Sequence, residues 1–185
     1  MKRYINTTRR VFAGLIGMSL LSLAGCAPQQ DAQTSTSADS FVATQIFLVR
    51  HAEKMTAKTD PALTQAGQDR AQLLANMLGD VGITHIHSSD YKRTRDTATP
   101  LAEQLGLEVM IYDPRDLAGM AAKLKGMSGR HLVVGHSNTT PPLTELLGGE
   151  GGTPIVEATE YDRLYIVTPT ANGEVTTTLL RFGAN

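Results

Sequence analysis

The sequence predicts a three-layer α/β/α sandwich: a mostly parallel sheet covered by helices on both faces, with an antiparallel hairpin at one edge. Three observations predict it. Short apolar runs such as Gln45-Ile46-Phe47-Leu48-Val49 and His131-Leu132-Val133-Val134 have the composition of strands buried on both faces. Stretches with helical spacing separate these runs, as crossover connections between parallel strands require. The last two runs, 164–168 and 175–180, flank Ala171-Asn172-Gly173, a hairpin turn.

The elements follow in order. After the strand at 45–49, Thr64 caps a helix in which Ala66, Leu73, Leu74, Met77 and Leu78 recur at helical spacing, and Gly79 and Gly82 close it. Residues 83–87 form the second strand. Residues 90–105 are helical, with Ala98, Leu101, Ala102 and Leu105 on one stripe, and Pro100 kinks or restarts the helix. Strand 107–112, helix 116–125, strand 131–134 and helix 141–147 precede the hairpin. His85, His87 and His131 alternate within strands or open one, and are expected to pack or face solvent. Met77, Met110, Met120 and Met127 read as core or gap-filling side chains.

The first 43 residues follow other rules. Lys2, Arg3, Arg9 and Arg10 form a basic leader, and the apolar run at 11–25 has 15 residues, short of the roughly 20 that a spanning helix needs. A signal peptide over 1–25 is the expectation. It ends in Leu23-Ala24-Gly25-Cys26, which resembles a bacterial lipoprotein box; Cys26 would then be lipidated, anchoring the chain to a membrane. Thr8-Arg9-Arg10-Val11-Phe12 resembles a twin-arginine export signal. Ala27, not Asp, follows the cysteine, and under enterobacteria-like sorting this favours the outer membrane. The segment 26–43 is small and polar beyond the cysteine and reads as a flexible tether. The working domain is then 44–185.

Composition narrows the function. The 185 residues fit one α/β domain and are too few for two. The formal net charge is −1, and loss of the four leader cations leaves 13 Lys+Arg against 18 Asp+Glu, a net −5. Nucleic acid is therefore not an expected partner. A single cysteine excludes an intrachain disulfide framework and a Cys-rich zinc site. The spacing of His85, His87 and His131 matches no zinc ligand set.

Ligands of parallel sheets bind beyond the carboxyl ends of the strands. There the sequence places Arg50-His51-Ala52-Glu53-Lys54, Gly135-His136-Ser137-Asn138 and Ser88-Ser89-Asp90-Tyr91-Lys92-Arg93-Thr94-Arg95. Imidazole can act as nucleophile or proton carrier, and the guanidinium fork matches phosphate oxygens. Together these residues describe a phosphoryl pocket with a nucleophile inside. Arg95 is expected to point away and pair with Asp96 or Glu53, and Tyr161-Asp162 to be structural.

Leu48-Val49-Arg50-His51-Ala52-Glu53 resembles the R-H-G signature of the histidine phosphatase (phosphoglycerate mutase-like) superfamily, with Ala52 in place of the glycine. Leu63-Thr64-Gln65-Ala66-Gly67 is similar to its L-T-x-x-G segment, residues 88–98 to its S-x-x-x-R-x-x-x-T-A stretch, and Gly135-His136-Ser137 to the segment carrying its second histidine. With 42 residues between Arg93 and His136, the chain is similar to the compact, single-domain, phosphohistidine-phosphatase-like members.

The resemblance implies that His51 attacks phosphorus to give a phosphohistidine. It further implies that Arg50 and Arg93 hold the non-bridging oxygens, that His136 binds the phosphoryl group beside Ser137, and that water hydrolyses the intermediate. Such chemistry is mostly positioning and electrostatics, so no metal or cofactor is expected. Larger members carry a glutamate acid between the arginine and the second histidine. Here 108–116 has no matching motif, and Asp116, Asp113 and Glu53 are the candidate general acids. The expected substrate is a phosphorylated small molecule or a phosphohistidine. The alternatives are a phosphoglycerate-mutase-like phosphotransferase and a lipoprotein that binds phosphorylated ligands without turnover.

Overall fold

The computed structural model describes residues 44–56, 59–170 and 172–184, so the leader, Cys26 and the tether lie outside the described residues. In chain order the elements are β1 (Gln45–Arg50), α1 (Gln65–Leu78), β2 (His85–Ser89), α2 (Lys92–Leu105), β3 (Val109–Tyr112), α3 (Leu117–Lys125), β4 (Arg130–Gly135), α4 (Thr140–Leu146), β5 (Arg163–Pro169) and β6 (Val175–Arg181). The strands form one sheet in the order β3-β2-β4-β1-β5-β6. β1, β2, β3 and β4 run parallel, and β5 and β6 pair antiparallel as the expected edge hairpin.

Alternation along β1 and β4 divides the core into two layers. Phe47, Val49, Leu132 and Val134 pack with Leu74 and Leu78 of α1 and Ala98 and Leu101 of α2. Ile46, Leu48 and Val133 pack on the other side with Met120 and Leu124 of α3 and Leu143 of α4. Each fully buried aliphatic side chain contributes about 1.5–3 kcal/mol. The three-layer sandwich predicted from the sequence is what forms.

Several local expectations are corrected. The inward face of α1 is Gly67, Arg70, Ala71, Leu74, Ala75 and Leu78, while Ala66, Leu73 and Met77 face out. The stripe is rotated because Arg70, a polar residue in the sequence, is buried. Its guanidinium bonds both Glu53 oxygens and the main-chain oxygens of Phe182 and Ala184. β2 lies two residues later than predicted. β3 begins only at Val109, because the Leu107 amide caps the end of α2 by bonding the Ala102 carbonyl at 2.9 Å, with Gly106 left-handed at φ 65°. α2 continues through Pro100 without restarting.

His87 and His131 are completely buried and stack with His85, the ring centroids of His85 and His131 lying 4.7 Å apart. Arg95 pairs with Asp90, not with Asp96 or Glu53. Of the four methionines read as core, Met120 is buried and Met77 is exposed.

Candidate active site

β1 and β4 are neighbours in register, Arg50 opposite Gly135, so each delivers a histidine to the same end of the sheet. The His51 amide donates to the Gly135 carbonyl at 2.9 Å, and the two imidazoles meet edge to face with centroids 5.5 Å apart. Gly135 is needed there: a Cβ would lie 2.8 Å from Thr139 Oγ1 and 3.0 Å from the Tyr112 hydroxyl. β2 ends beside them at Ser89, and α2 brings Arg93 back over the pair. His51, Arg93, His136, Ser137 and Thr139 line a cavity of about 260 Å³, whose rim includes Tyr91, Pro114, Arg115 and Glu157.

The protonation pattern of His51 follows from geometry. Its Nδ1 lies 2.7 Å from the Ala52 carbonyl oxygen, which can only accept. Nδ1 therefore carries the proton and Nε2 keeps a lone pair. Burial, opposed by this bond and reinforced by Arg50 and Arg93, pushes the His51 imidazole down to about 3. The Ala52 amide donates to Thr97 Oγ1 at 3.0 Å, and Thr97 Oγ1 donates to the Arg93 carbonyl at 2.7 Å. The T-A pair of the α2 stretch thus sets the loop that carries His51. The L-T-x-x-G segment supports it from behind: the Thr64 amide bonds the Glu53 carbonyl, and a Cβ on Gly67 would lie 2.2 Å from that same oxygen.

His136 has the opposite tautomer. Its Nδ1 accepts from Arg93 at 3.3 Å, so Nε2 carries the proton and donates to Ser89 Oγ at 2.8 Å. Burial first, then Arg93 and Arg50, pushes it down to about 4. The Nε–H of Arg93 is buried and has no partner among the described residues. A phosphoryl dianion would supply the missing acceptor and favour protonation of His136.

Arg50, expected to hold non-bridging oxygens, has its terminal nitrogens engaged by the protein. Its terminal nitrogens donate to the carbonyls of Glu160 and Glu157, each at 2.8 Å, and its guanidinium lies 3.9 Å from the centre of the Tyr161 ring. Only Nε, buried beside His51, lacks a partner among the described residues. Ser137 lines the cavity, and its hydroxyl donates to Glu157 Oε2 at 3.1 Å.

None of the three candidate acids reaches the histidine cavity. Glu53 is held by Arg70. Asp116 caps α3 through the Gly119 amide at 2.8 Å. Asp113 is bonded to Arg115, which holds its carboxyl below the usual range. The sequence reading also missed residues that matter here: Glu157 on the rim, Tyr161 over Arg50, and Asp60, which accepts the Lys92 amide at 2.8 Å and lies 3.8 Å from Arg93. Glu157 and Tyr161 lie in the irregular segment between α4 and β5, where no periodicity marks them. Among the described residues no group of three or more His, Cys, Asp or Glu side chains is arranged to hold a metal.

Two histidines on adjacent parallel strands, with an arginine from a third strand's helix above them, define the class: an α/β/α protein built around a histidine pair. The family model described as histidine phosphatase superfamily (branch 1) matches residues 46–115. Over 78 residues the chain is 42% identical to the "Probable phosphoglycerate mutase GpmB" of Serratia proteamaculans, covering 38% of this chain and 36% of that protein. The protein of the same name from Yersinia enterocolitica is 41% identical over 78 residues, with the same coverage. The match thus spans 36% of the length of these curated relatives.

The protein histidine phosphatase SixA complexed with tungstate superposes with a TM-score of 0.56 at 23% identity, covering 74% of this chain and 96% of that one. Mycobacterial glucosyl-3-phosphoglycerate phosphatase gives a TM-score of 0.57 at 16% identity, covering 77% and 100%. At these identities the likeness is one of fold. Over residues 46–115 the chain is similar to the histidine phosphatase superfamily.

Proposed function

We propose that the protein hydrolyses phosphomonoesters or phosphoramidates through a phosphohistidine on His51. The observation that carries this reading is the Nδ1–H bond of His51 to the Ala52 carbonyl, which leaves the Nε2 lone pair facing a cavity lined by Arg93 and His136. Nε2 attacks phosphorus, the bridging P–O or P–N bond breaks, and its electron pair departs with the leaving group. The phospho-imidazolium keeps its Nδ1 proton on Ala52. Water then attacks phosphorus, the Nε2–P electrons return to the ring, and inorganic phosphate leaves. Arg93, and Arg50 through its unpaired Nε, neutralise the oxygens in both steps.

The test is to trap the intermediate. Acid quench is avoided because phosphohistidine is acid-labile; base quench with labelled substrate should leave label on His51, and His51→Ala should abolish turnover while phosphate binding persists. Substantial turnover in His51→Ala would overturn the mechanism.

We also propose that the chain is exported and held at the cell envelope by lipid on Cys26, on the strength of Leu23-Ala24-Gly25-Cys26, with the domain in the periplasm.

A further inference from the structure

In-line displacement puts the leaving group opposite the nucleophile. His51 is 2% exposed, on the cavity floor, so the leaving group must point to the exposed rim. That rim is formed by Tyr91, Pro114, Arg115, Asn138 and Glu157. Arg115 is already neutralised by Asp113. Glu157 is not neutralised by any ion pair among the described residues: Ser137 bonds one carboxylate oxygen, and the other has no hydrogen bond.

A carboxylate is the wrong charge for a cavity that receives a phosphoryl dianion. On the rim of that cavity it repels the substrate unless positive charge lies between them. Glu157 is nonetheless fixed in place, because its own carbonyl is bonded by Arg50 at 2.8 Å. Its charge is felt within the site, where it favours the protonated forms of Arg50 and His136. Beside it the half-exposed Tyr91 ring offers an aromatic edge, with His136 packed against it at 5.0 Å.

We propose that Glu157 is a specificity-determining residue that reads positive charge on the leaving group, accepting a hydrogen bond from a protonated nitrogen at the rim. This rests on the phosphatase reading above. The nitrogen can be the ring N–H of a protonated phosphoimidazole, remote from phosphorus, or an ammonium close by, as in O-phosphoethanolamine. In the first case the proton on the ring nitrogen remote from phosphorus lets imidazole depart as a neutral group: the P–N electrons return to the ring, and no proton has to come from the protein.

The test compares the full-length wild type with Glu157→Gln, which keeps a partner for Ser137 and leaves the backbone bond to Arg50 untouched. Substrates are phosphoimidazole, O-phosphoethanolamine and glycerol phosphate, with tungstate as inhibitor. Removing a charge-assisted bond should lower kcat/KM for the nitrogen-bearing substrates about tenfold. Removing the repulsion should move glycerol phosphate and tungstate the other way, tightening tungstate about fivefold. A loss confined to phosphoimidazole assigns the contact to the imidazolium N–H; a loss shared with phosphoethanolamine assigns it to a nearby ammonium.

Equal changes on all ligands, no change on any, or selective loss of glycerol phosphate turnover would overturn the proposal, the last by making Glu157 a proton donor. If the wild type turns over nothing, the phosphatase reading fails, and dissociation constants of the same ligands measured by calorimetry still decide the role of Glu157.

Discussion

The Ala52 amide and the Thr97 hydroxyl, 45 residues apart, meet at 3.0 Å, and the carbonyl of the same Ala52 fixes the tautomer of His51. Thr97 in turn donates to the Arg93 carbonyl. One hydroxyl therefore ties the His51 loop to the helix turn carrying Arg93. Thr97→Val keeps the shape and removes the acceptor, stranding a buried amide at about 1–3 kcal/mol. Turnover of an aryl phosphate should fall at least tenfold and Thr97→Ser should restore most of it. Wild-type kinetics in Thr97→Val would show that the loop is held by other means.

The depressed values of both active-site histidines set the pH dependence. His51 lies at about 3 and His136 at about 4, so in the empty site both are neutral from pH 8 down to pH 5. kcat/KM reports the free enzyme, and once corrected for ionisation of the substrate it should be flat over that range and fall below about pH 4. An inflection near 6.5 would mean that His51 titrates as an ordinary histidine.

Much of the site was legible because its residues follow strands. Arg50-His51 and Gly135-His136 sit where continuous apolar runs end, and parallel sheets collect ligands at those ends. The illegible parts depend on contacts distant in sequence. Arg70 reads as surface until Glu53 and the chain near Phe182 are seen to surround it. Glu157 and Tyr161 lie in irregular chain, and only the fold brings them to Arg50, 107 and 111 residues earlier. Asp113 and Asp116 were attractive as acids by position, but local chemistry claims both: an arginine two residues away and a helix cap.

His87 gives the fold an acid weakness. It is fully buried, and desolvation first, then His131, Lys123 and His85, push it down to about 3. The unfolded chain binds a proton there below about 6.5, while the folded chain stays neutral, so stability is lost as pH falls from about 6.5 towards 3. The loss is about 1.4 kcal/mol per pH unit for this one group. Urea titrations at pH 7 and pH 5 should show a smaller acid loss in His87→Leu than in wild type, by about 2 kcal/mol. Equal losses would mean that His87 is solvated.

Anchoring can be tested apart from catalysis. One acyl chain holds a protein only marginally, and two or three hold it stably, at ~0.8 kcal/mol per buried methylene. Cys26→Ser should shift the protein from the membrane to the soluble envelope fraction or block its processing. A wild-type protein that is soluble and carries no lipid by mass spectrometry would refute the anchor.

The last prediction concerns leaving groups. A positioned acid typically contributes about 10²–10⁴-fold when a poor leaving group must be protonated. Glu53, Asp113 and Asp116 are each bonded elsewhere and none lines the histidine cavity. Rates should therefore depend steeply on leaving-group pKa, with aryl phosphates and phosphoramidates hydrolysed much faster than glycerol phosphate. The three amide variants should keep the ratio of aryl to alkyl turnover within about twofold of wild type, since a lost acid would change it by the factors above. Glu53→Gln should act on stability instead, because it leaves the buried Arg70 guanidinium without its carboxylate partner. Comparable wild-type rates on aryl and alkyl phosphates would show that an acid operates after all, and selective loss of alkyl turnover in one variant would name it.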